Sequence, residues 1–323
     1  MEWTAYSIRM RTRFRGITVR EGMLAHGPAG WTEWSPFWDY DDPTCLPWLA
    51  AAREAAYEQW PAPMRDRIPV NCIVPAVPPE QVAPIVRRSA GCRTAKVKVA
   101  EPGQSLAEDL ARVEATREAI GPHGRIRVDA NGAWTVNEAI RAIEALDRTT
   151  GGLEYVEQPC ADVEDLATVR RHVRVPIAAD ESIRRASDPL RVRDLDAADV
   201  VVLKVQPLGG VAACLRIAKQ IDLPVVVSSA VETSVGLAAG VALAAALPAL
   251  PYACGLGTGA LLESDVVAEP LRPVDGELPV LRPEVDPVAL AAVTAEPATA
   301  DRWQQRLDRV VGMVDAEDAE SRA

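Results

Sequence analysis

From about residue 67 onward the chain alternates short β-branched runs with longer amphipathic stretches, and this alternation limits the possible folds more than any other feature. Short apolar runs read as buried strands, and apolar residues three and four apart read as one face of a helix. A regular exchange between the two therefore predicts βα units around a parallel sheet. The strand candidates are 70–74, 95–99, 125–129, 153–157, 175–180, 199–205, 224–228 and 252–255, eight in all. Helical spacing follows the second run at Leu106, Leu110, Val113 and Ile120, and the third at Val136, Ile140, Ile143 and Leu146. No early run ends in a GxGxxG loop. The α/β class is thus predicted to be a closed TIM-like (β/α)8 barrel, or its modified (β/α)7β form, rather than an open dinucleotide-binding sheet.

The first part of the chain has a different character. Residues 7–10 and 16–21 read as strands, 30–42 as a Trp/Pro-rich loop and 47–59 as a helix, which predicts a small α+β capping domain over 1–67. The barrel is expected over 68–261. The segment 262–323, Pro-rich to 287 and helical from 288 to 314, is expected to return to the capping domain, with 315–323 a solvated tail.

Charge and cysteine usage narrow the partners. Lys and Arg number 35 against 46 Asp and Glu, a net charge of −11, and no stretch interleaves basic residues with aromatics, so neither nucleic acid nor an anionic membrane is an expected partner. The longest apolar run, 235–247, is too short for a span of ~20 residues. Cys45, Cys72, Cys92, Cys160, Cys214 and Cys254 form neither a CxxC pair nor a dense framework, which predicts reduced thiols and a cytoplasmic location. His26, His123 and His172 are isolated from one another and from the cysteines. A bound metal would have to be held by carboxylates.

Barrel enzymes carry their chemistry at the C-terminal ends of the strands. Here five consecutive strands end in polar residues: Lys96-Val97-Lys98, Arg127-Val128-Asp129-Ala130-Asn131, Tyr155-Val156-Glu157-Gln158-Pro159, Ala179-Asp180-Glu181-Ser182 and Leu203-Lys204-Val205. Singly, each would read as a rim ion pair; the ordered recurrence reads as a site. Alternation along a strand puts Lys96 and Lys98 on one face, and Arg127 on the same face as Asp129. Three carboxylates converging on one barrel mouth repel one another unless a cation lies among them. All-oxygen ligands favour Mg²⁺ or Mn²⁺.

The order KxK, DxN, ExP, DES and K, with spacings of 31, 28, 23 and 24 positions, resembles the muconate-lactonizing subgroup of the enolase superfamily. The resemblance covers nearly the whole chain, including Gly30-Trp31-Thr32-Glu33 and the Ser228-Ser229-Ala230-Val231-Glu232-Thr233-Ser234 turn. Within the subgroup the short capping segment, the loop 31–40, Arg127 and that turn are most similar to the o-succinylbenzoate synthases in their compact actinobacterial form. Gly255-Leu256-Gly257 lacks the acidic pair expected of dipeptide epimerases. Thr32 stands where the family loop commonly has glycine, which puts the shape of the substrate lid in question.

The resemblance implies a Mg²⁺-dependent hydro-lyase of menaquinone biosynthesis acting on a small-molecule carboxylate. Asp129, Glu157 and Asp180 would hold the metal, and Lys98 would move the proton. Lys204 would stabilise the charge of an enediolate. It further implies that Lys96, Arg127, Asn131 and Glu181 support substrate or ligands, and that backbone N–H groups near Ser228 and Ser229 receive a second carboxylate. Two other readings stay open at this level: an N-succinylamino acid racemase, since two lysines on opposite faces also suit a 1,1-proton transfer, and a barrel that only binds a metal-carboxylate ligand. Monomer and homo-oligomer are equally compatible with the sequence.

Overall fold

The computed structural model describes residues 1–185 and 188–320. The chain opens with an antiparallel sheet in the order β1 (Trp3–Phe14), β2 (Ile17–Gly27) and β3 (Gly30–Trp34). Phe14 pairs with Ile17, so the turn is Arg15-Gly16 alone, at φ 50° and 77°. A two-residue hairpin with both central residues left-handed matches strand twist, and glycine at its second position avoids the Cβ clash. The hairpin is longer than the predicted 7–10 and 16–21. Ile8 and Met10 point inward while Arg9, Arg11 and Arg13 stay in solvent, so the charged alternation belongs to the strand.

The predicted loop 30–42 needs correction at its start, because 30–34 is the strand β3, paired with β2 from Met23–Trp34 to Gly27–Gly30. Burial of Thr32, Glu33 and Trp34 drives this. Trp34 joins Trp48, on α1 (Leu46–Tyr57), and Trp303 in the capping core, with the Trp34 and Trp303 rings 5.5 Å apart.

After β4 (Arg67–Pro69) comes a parallel sheet of seven strands: β5 (Cys72–Val74), β6 (Thr94–Lys98), β7 (Arg125–Asp129), β8 (Val156–Glu157), β9 (Ile177–Ala179), β10 (Val200–Lys204) and β11 (Val225–Ser228), each beside the next. The predicted eighth strand, 252–255, is not a strand. It closes the barrel through two single parallel bridges, Cys254 to Val70 and Gly255 to Ser228. Pro251 before it, Gly255 at its end and Gly257 after it leave few residues suited to a longer ladder. The architecture is thus the modified barrel. β4 itself pairs antiparallel with β12 (Glu277–Pro279).

Helices alternate with the strands: α2 (Val82–Arg88), α3 (Leu106–Ile120), α4 (Val136–Thr150), α5 (Val163–His172), the short α6 (Glu181–Arg184) and α7 (Arg191–Asp194), α8 (Val211–Ile221) and α9 (Ser234–Ala246). Capping boxes start α3 (Ser105 with Glu108) and α4 (Thr135 with Glu138), each satisfying otherwise orphaned N–H groups. The apolar run after Ser234 is explained by α9, buried almost all round between β11 and the capping strand β3. Among the described residues no helix is long and apolar enough to cross a membrane.

The predicted single helix over 288–314 is two, α10 (Pro287–Val293) and α11 (Pro297–Glu320). The break is tied down by Ala295 N–H donating to Ala5 O at 2.9 Å, and Pro297 restarts the helix where proline is tolerated. The expected tail from 315 is helical to Glu320; 321–323 lie outside the described residues. Trp303, Leu307 and Val310 of α11 pack in one cluster with Trp34 and Trp48.

Candidate active site

Strand register assembles the site. Lys98 pairs across to Asp129, and Asp129 to Glu157, so three polar strand ends stand side by side on β6, β7 and β8. Asp180 follows β9, and Lys204 ends β10, with three strands between it and Lys98. In a barrel of eight positions that separation places the two lysines on opposite sides of the mouth.

The groups are interlocked. Lys96 Nζ lies 2.9 Å from Asp129 Oδ2 and 2.5 Å from Glu157 Oε1. Lys98 Nζ lies 2.5 Å from the same Asp129 oxygen and donates to Asn131 Oδ1 at 2.5 Å. Lys204 Nζ lies 2.6 Å from Asp180 Oδ2. All three acids are at most 1% exposed. Burial alone would raise their pKa values. Against that burial, Lys96 and Lys98 hold Asp129 far below the usual carboxylate range, and Arg184 and Lys204 do the same for Asp180. Glu157 goes the other way: burial, and then the charge of Asp129, push it up to about 7. Lys96, despite its burial, is held well above its ordinary value by Asp129 and Glu157.

Asn131 sits at a left-handed φ of 48°, which lets its N–H donate to Asp129 Oδ1 at 3.1 Å while its side chain bridges Lys98 and Glu181. Glu181 accepts from Arg184 Nη2 at 2.5 Å and from Asn131 Nδ2 at 3.3 Å, and its other oxygen is buried without a partner.

Two residues that the strand-end pattern did not single out belong to this assembly. Arg184, one helical turn after Asp180, donates from Nε to Asp180 Oδ1 at 3.0 Å and from Nη1 to Tyr40 OH at 2.8 Å, tying the capping loop to the barrel. The i, i+4 spacing within Asp-Glu-Ser-Ile-Arg was the available signal. Gln158 accepts the N–H groups of Asp180 and Ser182 on Oε1, at 3.0 and 3.2 Å, and fixes the turn after β9.

Lys96, Lys98, Asp129, Asn131, Glu181, Lys204, Ser228 and Ser229 all line one cavity of about 740 Å³. The capping domain supplies its other wall through Arg13, Phe14, Arg15, Phe37 and Tyr40. Glu157 and Asp180 lie just beneath, covered by the lysines they pair with.

Arg127 does not join them. Its guanidinium lies inside the barrel below Asp129, donating from Nε to Glu154 at 2.9 Å, from Nη1 to Tyr155 OH at 2.8 Å and to Ala253 O at 2.9 Å, with Nη2 also on Glu154. Alternation along β7 does put it on the inward face with Asp129, but one pleat deeper, where those groups saturate it. At the expected carboxylate receptor, Ser228 and Ser229 line the cavity, while the N–H of Ser229 is engaged by Gly255 O at 3.2 Å.

Glu33 and Thr32 show how the capping strand holds the site. Glu33 Oε2 accepts from Thr233 N at 3.1 Å, Thr233 Oγ1 at 2.5 Å and Gly236 N at 3.2 Å, while Oε1 accepts from Tyr6 OH and Ser35 Oγ, both at 2.7 Å. Arg20 donates to Val231 O at 2.9 Å. The turn after β11 is therefore gripped from β2 and β3. Thr32 faces α1, its hydroxyl donating to Ala52 O at 2.8 Å, so the departure at this position is absorbed in the capping core and leaves the cavity wall untouched.

Among the described residues no three His, Cys, Asp or Glu side chains are gathered around one point, because the acid oxygens turn to lysines. The donor chemistry nevertheless fits a hard divalent cation: three buried carboxylates on consecutive strand ends, with Glu157 raised by its burial and then by the charge of Asp129 even beside Lys96. A cation entering there would share Asp129 and Glu157 with the Lys96 ammonium.

Comparison with known proteins agrees with this geometry. Residues 81–284 match the family model "Enolase C-terminal domain-like" and 5–56 match "Enolase N-terminal domain-like". The chain is 66% identical over 307 residues to an o-succinylbenzoate synthase of Thermobifida fusca, covering 95% of each, and 57% identical over 304 residues to one of Mycolicibacterium smegmatis, covering 94% of this chain and 92% of the relative. Among solved structures, a muconate lactonizing enzyme of Pseudomonas fluorescens superimposes with a TM-score of 0.78 at 20% identity, over 91% of this chain and 98% of that one. The L-Ala-D/L-Glu epimerase of Bacillus subtilis gives 0.73 at 21%, over 88% and 96%. At such identities these two likenesses speak to the fold.

Proposed function

Because the chain belongs to the o-succinylbenzoate synthases of the enolase superfamily, we propose that it is a carbon-oxygen lyase converting 2-succinyl-6-hydroxy-2,4-cyclohexadiene-1-carboxylate to o-succinylbenzoate and water. The observation that carries the reading is the pair of cavity-lining lysines, Lys98 and Lys204, on opposite sides of a mouth floored by three buried carboxylates.

The proton alpha to the substrate carboxylate is weakly acidic, so its removal needs a base on one face and charge stabilisation around the carboxylate that becomes an enediolate. Lys98 is the base: its amine takes the proton from C1, and the electron pair moves into the carboxylate. As the enediolate collapses, the C6–O bond breaks. The proton on Lys98 goes to the departing hydroxide on the same face, so water leaves and the ring becomes aromatic. Asn131 holds the Lys98 amine in line through its 2.5 Å contact. Lys204, across the ring, stabilises the developing negative charge and the π system without moving a proton. Lys96 holds Asp129 and Glu157 in register beneath.

Asp129, Glu157 and Asp180 would hold Mg²⁺, or Mn²⁺, which when bound supplies positive charge to the substrate carboxylate. Asp129, Glu157, Asp180 and Glu181 face Lys96, Lys98, Lys204 and Arg184, a balanced set, so a dication would leave the site positive and suited to a dicarboxylate. Arg13 on the capping wall adds to that suitability at the far end, whereas Arg15 is paired with Asp39. The product is a precursor in menaquinone biosynthesis, and the six free, buried cysteines support a cytoplasmic setting.

The test is the absorbance of ring aromatisation on the cyclohexadiene substrate with and without Mg²⁺. Rapid metal-dependent conversion is expected. Absence of conversion, with solvent deuterium appearing at the alpha carbon of N-succinyl amino acids instead, would replace the lyase reading by a racemase.

A further inference from the structure

A second cavity, of about 370 Å³, lies between β5, α2, the end of β1 and the turn at Gly257–Leu261. It is separate from the reaction site, although Ile73 lines both. Its walls are largely apolar, with Ile73, Pro75, Ile85 and Leu261. Three arginines, Arg11, Arg88 and Arg272, also line it.

Acidic residues outnumber basic ones, and several arginines find carboxylates: Arg15 with Asp39, Arg112 with Asp109, Arg170 with Asp199, Arg184 with Asp180. Around this opening, among the described residues, none of the three has an acidic partner within 4.0 Å; Arg11 donates only to the backbone oxygen of Glu263, at 3.2 Å. Three like charges on the lining of one opening repel one another, more weakly for being exposed, and an anion among them would offset that repulsion. A guanidinium grips a carboxylate through paired N–H groups. The apolar walls would gain nothing from a bare inorganic anion, whereas they would cover a hydrocarbon body. A volume of this size falls in the range of small-molecule sites, which combine apolar walls with a few polar anchors.

We propose that this cavity binds a small carboxylate carried on an aromatic or alicyclic body, independently of the reaction site. Asn71 lines the same cavity and is fully buried, with its Oδ1 lacking a hydrogen-bond partner. The charge and the apolar surface together define the ligand class; neither alone would.

The experiment is calorimetric titration of the Mg²⁺-loaded protein with 3-phenylpropionate, using 3-phenylpropanamide as the uncharged control and a double arginine variant as the control for binding at the reaction site. Binding of one equivalent with a Kd of about 1 mM or tighter is expected, with the amide at least ~10-fold weaker. Combining Arg88→Gln with Arg272→Gln, neither of which makes a side-chain hydrogen bond among the described residues, should weaken the acid at least ~10-fold and leave kcat/KM for dehydration unchanged. Failure of the acid to bind, equal binding of acid and amide, or undiminished binding by the double variant would each overturn the proposal.

Discussion

Lys98 and Lys204 make the same contact, an ammonium on a strand-end aspartate at 2.5 and 2.6 Å, yet the proposed chemistry asks different things of them. Lys204 contributes charge. A unit charge about 4 Å from a developing anion is worth ~4 kcal/mol at an effective dielectric near 20. Loss of a comparable preorganised donor in an enclosed site costs ~3 to 4 kcal/mol, so Lys204→Ala should lower kcat by roughly 10² to 10³. Asp180 would keep Arg184 at 3.0 Å, so the site should survive the loss. In the proposed mechanism Lys98 performs both proton transfers, each worth ~10² to 10⁴, and Lys98→Ala should lower kcat by at least ~10⁴. Arginine separates the roles. Lys204→Arg keeps a cation over the ring and should recover at least ~10-fold over the alanine variant, whereas Lys98→Arg carries a guanidinium that stays protonated and should recover nothing. The assay is steady-state aromatisation, with circular dichroism confirming the fold of each variant. Equal rescue by arginine at both positions would mean that neither lysine is the base and would refute the mechanism.

Three further outcomes are expected. Exhaustive chelation should abolish turnover and added Mg²⁺ or Mn²⁺ should restore it; full activity in the metal-free protein would contradict the role given to Asp129, Glu157 and Asp180. Glu33→Ala should lower unfolding free energy by about 3 to 5 kcal/mol, because it orphans the buried N–H groups of Thr233 and Gly236 together with Tyr6 OH, and an unchanged denaturant midpoint would show that the turn after β11 is held by other contacts. Arg127→Met should cost about 3 to 5 kcal/mol of stability by removing the buried partner of Glu154, Tyr155 OH and Ala253 O, leaving Glu154 only the exposed Arg125 at 3.0 Å. A large fall in kcat with stability intact would instead return Arg127 to the reaction.

The sequence displayed the barrel because β-branched strands and 3.6-period helices alternate without interruption, and that signal depends on local burial alone. It failed where the element was defined by pairing across long separations. Tyr252 to Gly255 has the composition of a strand, but its partners, Val70 and Ser228, allow it only one bridge each. The residues 30–34 look like loop because of Gly30 and the polar Thr32 and Glu33, yet β2 pairs with them and α1 covers them. The kink between α10 and α11 depends on a hydrogen bond to Ala5, almost three hundred residues away.

The site follows the same division. Lys96, Lys98, Asp129, Glu157, Asp180 and Lys204 were legible because each ends an apolar run, so position along its own strand was enough to aim it. Arg127 obeys the same alternation and still lies elsewhere, since alternation fixes the face and says nothing of depth; its layer was set by Glu154, Tyr155 and Ala253, none of which the pattern pairs with it. Arg184 and Tyr40 show the converse. Neither ends a strand, and their importance arises only when the capping loop lies over α6, where one guanidinium meets Asp180, Glu181 and Tyr40 together. A pattern confined to one element finds the groups that element aims. The groups that join two domains become visible only when both are in place, and in this chain those are the contacts through which closure of the capping loop would be felt at Asp180.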